Sequence, residues 1–92
     1  MRVVVAYDVS LDQRRRKVAE ALEAVLVRVQ YSVFEGEVPS MVLAGAVGRA
    51  VGWLDLETDS LRVYRLCGAC AKRVEVFGLE KVVVEHESVR IL

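Results

Sequence analysis

The chain has 92 residues, 54% of them hydrophobic, which leaves room for one compact domain, since a second core would need roughly 50 residues more. Its 13 basic and 13 acidic residues cancel, so net charge gives no sign of nucleic-acid binding. The longest uninterrupted apolar run, Val3 to Tyr7, falls far short of the roughly 18–20 residues a membrane-spanning helix requires.

The amino terminus, Met1 to Asp8, carries one basic residue and no apolar run followed by a small-residue cleavage site, so a cytoplasmic location is expected. A domain this small buries only about 60–65% of its unfolded surface. The apolar excess therefore predicts an exposed patch and association with another subunit.

Arg2 to Asp8 is β-branched and apolar nearly throughout and reads as a central strand buried on both faces, ending at a carboxylate. Ser10-Leu11-Asp12-Gln13 has the spacing of a capping box, in which Ser10 bonds the backbone near Gln13 and Gln13 reaches back. A helix follows from there to about Val27, with Leu11, Val18, Leu22, Val25 and Leu26 on its buried face. Residues 14–17 are Arg-Arg-Arg-Lys. At about 100° per residue they cannot share a face, so Arg14 and Arg15 flank the apolar stripe and Arg16 points outward.

Arg28 to Val38 is extended in character and forms one strand or two short ones. Pro39 and Ser40 introduce a second helix to Val51, with Met41, Leu43, Ala44, Val47 and Val51 as its apolar face and Gly45, Gly48 and Gly52 weakening it. Asp55 to Ser60 is an acidic loop. Leu61 to Leu66, Val74 to Phe77 and Val82 to Glu85 follow as strands, the last two joined by a turn at Gly78. This order is the split βαβ pattern of an α+β, ferredoxin-like βαββαβ fold with an additional carboxy-terminal strand. That fold hosts many functions and decides none.

Two clusters carry chemistry. The basic quartet predicts a positive end of the fold near Asp8, while Glu35, Glu37, Asp55, Glu57 and Asp59 make the middle third acidic. Cys67 and Cys70 have the C-x-x-C spacing. With His86 as the only histidine, one ligand of a tetrahedral zinc site is missing, and no thioredoxin-like unit surrounds the pair. A structural role is the expectation for both cysteines.

Three segments then carry a resemblance: Val5-Ala6-Tyr7-Asp8-Val9, Arg14-Arg15-Arg16-Lys17-Val18, and Arg28-Val29-Gln30-Tyr31-Ser32-Val33-Phe34-Glu35-Gly36-Glu37, supported by Val63 to Cys67 and Lys72 to Val76. In this order and spacing the sequence resembles the CRISPR-associated Cas2 (Cas-two) family, the small core protein that accompanies the CRISPR integrase. The resemblance implies a ferredoxin-like homodimer in which the carboxy-terminal strand, about 80–92, pairs with the partner subunit. It also implies that Arg28 to Val38 splits near Tyr31 and Ser32.

The same resemblance makes Asp8 the functional aspartate, one copy from each subunit, holding Mg²⁺, or Mn²⁺ in its place, for phosphodiester hydrolysis of RNA or DNA. From the residues alone, Asp8 reads first as a cap on the strand-to-helix turn. Arg15, Lys17, Arg28 and Phe34 match positions linked to nuclease activity, with Lys17 standing where relatives have arginine. Arg14, Arg15, Arg16 and Lys17 are expected on nucleic-acid backbone, although Phe34 also reads as plain core. The implied function is spacer acquisition in antiviral defence, bridging the Cas-one integrase and binding protospacer duplex DNA, with endonuclease activity centred on Asp8. The competing readings are a free-standing toxin-type ribonuclease of the same fold and an interaction module without chemistry.

Overall fold

A run of β-branched and apolar residues makes Arg2–Asp8 the strand β1, in which burial alternates: Val3, Val5 and Tyr7 are buried and Val4 and Ala6 half-buried. The computed structural model describes residues 1–66, 73–78 and 81–86, without the side chains of 73–75 and 81–86. After β1 come α1 (Asp12–Glu23), β2 (Val27–Gln30), β3 (Val33–Glu37), α2 (Ser40–Val51), β4 (Ser60–Leu66), β5 (Arg73–Gly78) and β6 (Lys81–His86). The strands form one sheet in the order β2-β3-β1-β4-β5-β6, antiparallel at every pairing. The first four strands have the ferredoxin-like order, and β5 and β6 extend the sheet beyond β4.

Both helices lie on one face of the sheet. Phe34, Leu22, Leu43, Leu61, Val3, Val5, Val18 and Val63 are fully buried there. On the other face the alternate residues Val4, Ala6, Val33 and Tyr64 are only partly covered. Strand β1 is therefore central but buried on one face, not two.

The first helix differs from expectation at both ends. Ser10 is no capping residue: Leu11 occupies the N-cap position without a side-chain bond, because the Ser10 backbone N–H and hydroxyl both donate to the Asp59 carboxylate, at 3.2 and 3.3 Å. Leu11 is consequently 48% exposed. The helix stops at Glu23, four residues before Val27, and Val25 and Leu26 pack from the turn that follows.

Arg28 to Val38 does divide into β2 and β3, with the turn at Tyr31 and Ser32 and a bulge between Arg28 and Gln30. Helix α2 has the expected bounds, yet it buries Leu43, Ala46, Val47 and Ala50. Met41 and Ala44, expected on that face, point to solvent. Cys67 and Cys70 lie outside the described residues, as does the chain beyond His86. Among the described residues no helix is long and apolar enough to cross a membrane.

Gly78 ends β5 with φ +119°, and an added Cβ would strike the Asp59 carbonyl oxygen. Gly78→Ala is expected to destabilise the protein by more than about 1–2 kcal/mol, since left-handed strain adds to the clash. Thermal denaturation checks this. An unchanged melting temperature would show that β5 does not dock on Asp59.

Candidate functional site

Asp8 closes β1 opposite Ser60 of β4. Because side chains alternate along a strand and Tyr7 faces the helices, Asp8 faces the open side of the sheet. Its side chain is exposed and has no hydrogen-bond or ion-pair partner among the described residues. No group of three His, Cys, Asp or Glu side chains that could hold a metal occurs among the described residues. A hydrated Mg²⁺ needs only one or two carboxylates besides water and substrate phosphate. Asp8 thus fits as one ligand of such an ion. On the same open face Ala6, Val33 and Arg62 lie toward Asp8, and Val4, Tyr64 and Leu66 continue the partly apolar surface toward the far end of β1.

The basic residues expected beside Asp8 are divided among three places. Arg14 turns inward: its Nε donates to Asp59 Oδ2 at 2.9 Å and its Nη2 to Oδ1 at 3.4 Å. Asp59 itself is fully buried and also accepts from Ser10, from the Asp55 backbone N–H at 3.0 Å and from the Thr58 hydroxyl at 3.2 Å. Burial pushes the Asp59 carboxyl up, but the hydrogen bonds from Arg14, Asp55, Ser10 and Thr58 together outweigh it and hold the group well below the usual carboxylate range. Arg14, expected on nucleic acid, is therefore engaged in joining α1 to the α2–β4 loop. The predicted positive end is to that extent cancelled from within.

Arg15 and Arg28 share a groove on the helix side. Arg15 Nη1 donates to the Val9 carbonyl at 2.8 Å, which places it one residue from Asp8. The same side chain pairs with Asp12 and lies over the Tyr31 ring at 5.8 Å. Arg28 sits over the Phe34 ring at 5.2 Å and 3.8 Å from Glu23, close enough to the Tyr7 phenol to act on its titration. Burial raises the Tyr7 pKa, with Arg28 opposing, so the phenol keeps its proton at neutral pH.

Lys17 reaches the other way, to Glu20 at 3.8 Å and over the Trp53 ring at 5.5 Å. Arg16 is exposed and has no ion-pair partner among the described residues. Phe34, matched by resemblance to the catalytic set, is fully buried and stacked on Tyr7 with ring centroids 6.1 Å apart. It cannot touch a substrate; it carries Arg28.

Sequence reasoning missed Tyr7, Tyr31 and Asp59. Strand alternation was a usable signal for Tyr7, since the neighbour of an outward Asp8 must point inward. Nothing in the run Asp55 to Asp59 marks its last carboxylate as the buried one. Its partner Arg14 is 45 positions away.

The comparisons agree with this architecture. The family model described as CRISPR associated protein Cas2 matches residues 1–74. The chain is 45% identical over 78 residues to the CRISPR-associated endoribonuclease Cas2 2 of Synechocystis sp., covering 82% of each chain. It is 43% identical over 75 residues to the CRISPR-associated endonuclease Cas2 2 of Thermus thermophilus, covering 82% of this chain and 79% of that one. The crystal structure of Streptococcus pyogenes Cas2 superimposes with a TM-score of 0.66 at 36% identity, covering 73% of this chain and 87% of that one. The strand order, the motif segments and these likenesses together show that the chain belongs to the Cas2 family of CRISPR associated proteins.

Proposed function

We propose that this protein is a homodimeric nucleic-acid-binding subunit of the spacer-acquisition machinery, bridging the Cas-one integrase and hydrolysing phosphodiesters at Asp8. The exposed, unpartnered Asp8 on a partly apolar open sheet face carries the reading. A lone carboxylate beside an apolar surface is completed when a second copy apposes its own face, because burying that surface brings two Asp8 side chains together. Mg²⁺, or Mn²⁺, would there neutralise charge on the phosphate and lower the pKa of a bound water. The relatives named endoribonuclease and endonuclease support phosphodiester chemistry. The chain's own residues hold the strand end in place: Arg15 ties the Val9 carbonyl to α1, and the Asp59 hub ties Ser10 to the loop before β4.

One observation favours a second reading, an adaptor that binds duplex DNA without cutting it. Lys17, Arg28 and Phe34, expected in a catalytic set, do not converge with Asp8. Asp8→Ala separates the two. If Asp8 is the metal-dependent catalytic residue, cleavage of RNA or duplex DNA in Mg²⁺ falls at least about 10²-fold, the scale of a lost activating group, while duplex binding persists. If neither protein cuts and both bind, the adaptor reading stands. Light scattering on the same samples is expected to read two chains per particle.

A further inference from the structure

A groove on the helix side of the sheet opens away from the face that carries Asp8. It has a volume of about 470 Å³, within the roughly 300–1,000 Å³ of small-ligand sites. Its floor holds the Tyr7 phenol, its walls Arg15 and Arg28, and its rim Arg16 and Tyr31. Since Tyr7 and Asp8 point to opposite faces of β1, this groove and the Asp8 site cannot be one pocket.

Its charges mostly cancel. Asp12 pairs with Arg15, Glu23 with Arg28, and Glu20 with Lys17 from outside the groove. Arg16 is the cation left without an ion-pair partner among the described residues. One available guanidinium suits one phosphate; a duplex track needs several. Tyr31 supplies the second element. It is 70% exposed at the tip of the β2–β3 turn, and the Arg15 guanidinium backs its ring, which holds it in place and leaves the opposite face to solvent. Aromatic rings of this kind stack unpaired bases, which have a free π-face; bases inside a duplex do not. The Tyr7 phenol lines the groove beside Arg28 and has an O–H that can donate to a base edge or phosphate oxygen.

We propose that this groove binds an unpaired nucleotide, its base stacked on Tyr31 and its phosphate on Arg16, as a single-strand site separate from the Asp8 face. The inference rests on the reading of this protein as a nucleic-acid binder. It adds the class of ligand, an unpaired end or single strand, and the residues that hold it.

Fluorescence anisotropy with labelled oligo(dT), oligo(U) and a blunt duplex tests it on wild type, Tyr31→Ala, Tyr31→Phe and Arg16→Gln. Tyr31→Ala is expected to bind single strands about tenfold more weakly, the scale of one lost base stack, and the duplex as wild type does. Tyr31→Phe keeps the ring and keeps the affinity. Arg16→Gln weakens single-strand binding and lowers its salt dependence by about one phosphate contact. A response confined to oligo(dT) or to oligo(U) supports the site and identifies the sugar. Unchanged single-strand affinity in Tyr31→Ala, in a wild type that binds the duplex, overturns this inference alone. A wild type that binds neither probe overturns the proposed function and this site with it.

Discussion

Asp59→Ala is expected to destabilise the protein by about 3–5 kcal/mol, because removing one member of a buried, hydrogen-bonded ion pair leaves the other charge uncompensated. For a domain with about 5–15 kcal/mol in total, that is a large share, and the melting temperature should fall by more than about 12 °C. The lost carboxylate is the shared acceptor for Ser10, Arg14, Asp55 and Thr58. The β1–α1 turn, the first turns of α1 and the loop before β4 would all loosen together.

The wild type carries a matching pH signature. The folded-state pKa of Asp59 is depressed below the ordinary 3.8. Its contribution is therefore fully present above that value and is lost as pH falls from about 4 toward the lower folded-state value. Urea titrations between neutral and acid pH check this: the wild type should lose stability through that window and Asp59→Ala should lose less. Parallel pH profiles for the two proteins would show that Asp59 is not the carboxylate responsible.

The second large effect is expected at Phe34. Phe34→Ala empties a fully buried ring site and should cost about 3–5 kcal/mol through lost transfer energy and the cavity left behind. It also removes the surface on which Arg28 rests and the partner of Tyr7. Loss of activity in this variant would follow from unfolding. Phe34→Leu, which refills most of the volume, is expected to recover most of the stability and, well below its melting temperature, activity within a few-fold of wild type. Chemical denaturation and cleavage measured on the same preparation check the pair. A Phe34→Leu protein that is stable but inactive would mean that the ring takes part in the chemistry by orienting Arg28.

The order of strands and helices was legible from the sequence because each element carries its own local signal. A β-branched, apolar run marks Arg2 to Asp8, alternation marks Leu61 to Leu66, helical spacing marks Val18 and Leu22, and Pro39 and Gly78 mark breaks where the backbone demands them. The turn at Tyr31 and Ser32 has no such residue, and only the resemblance to Cas2 proteins pointed to it. The ends of α1 were less legible. The capping-box spacing at Ser10 is genuine, but a buried carboxylate 49 positions away competes for the same hydroxyl and prevails because burial without a donor would be far more costly.

The candidate site divides along the same line. By itself the sequence determined that Asp8 ends a strand, that a basic quartet opens the following helix, and that the chain has more apolar surface than one small domain can bury. These are matters of composition and near-neighbour spacing. Tertiary structure alone decided that Arg14 serves Asp59, that Lys17 turns to Trp53, that Phe34 is core, and that Asp8 and the Arg15–Tyr31 groove lie on opposite faces of one sheet. Each of those outcomes depends on partners far away in the chain, and the energies that select them arise only when the sheet and both helices close on a common core.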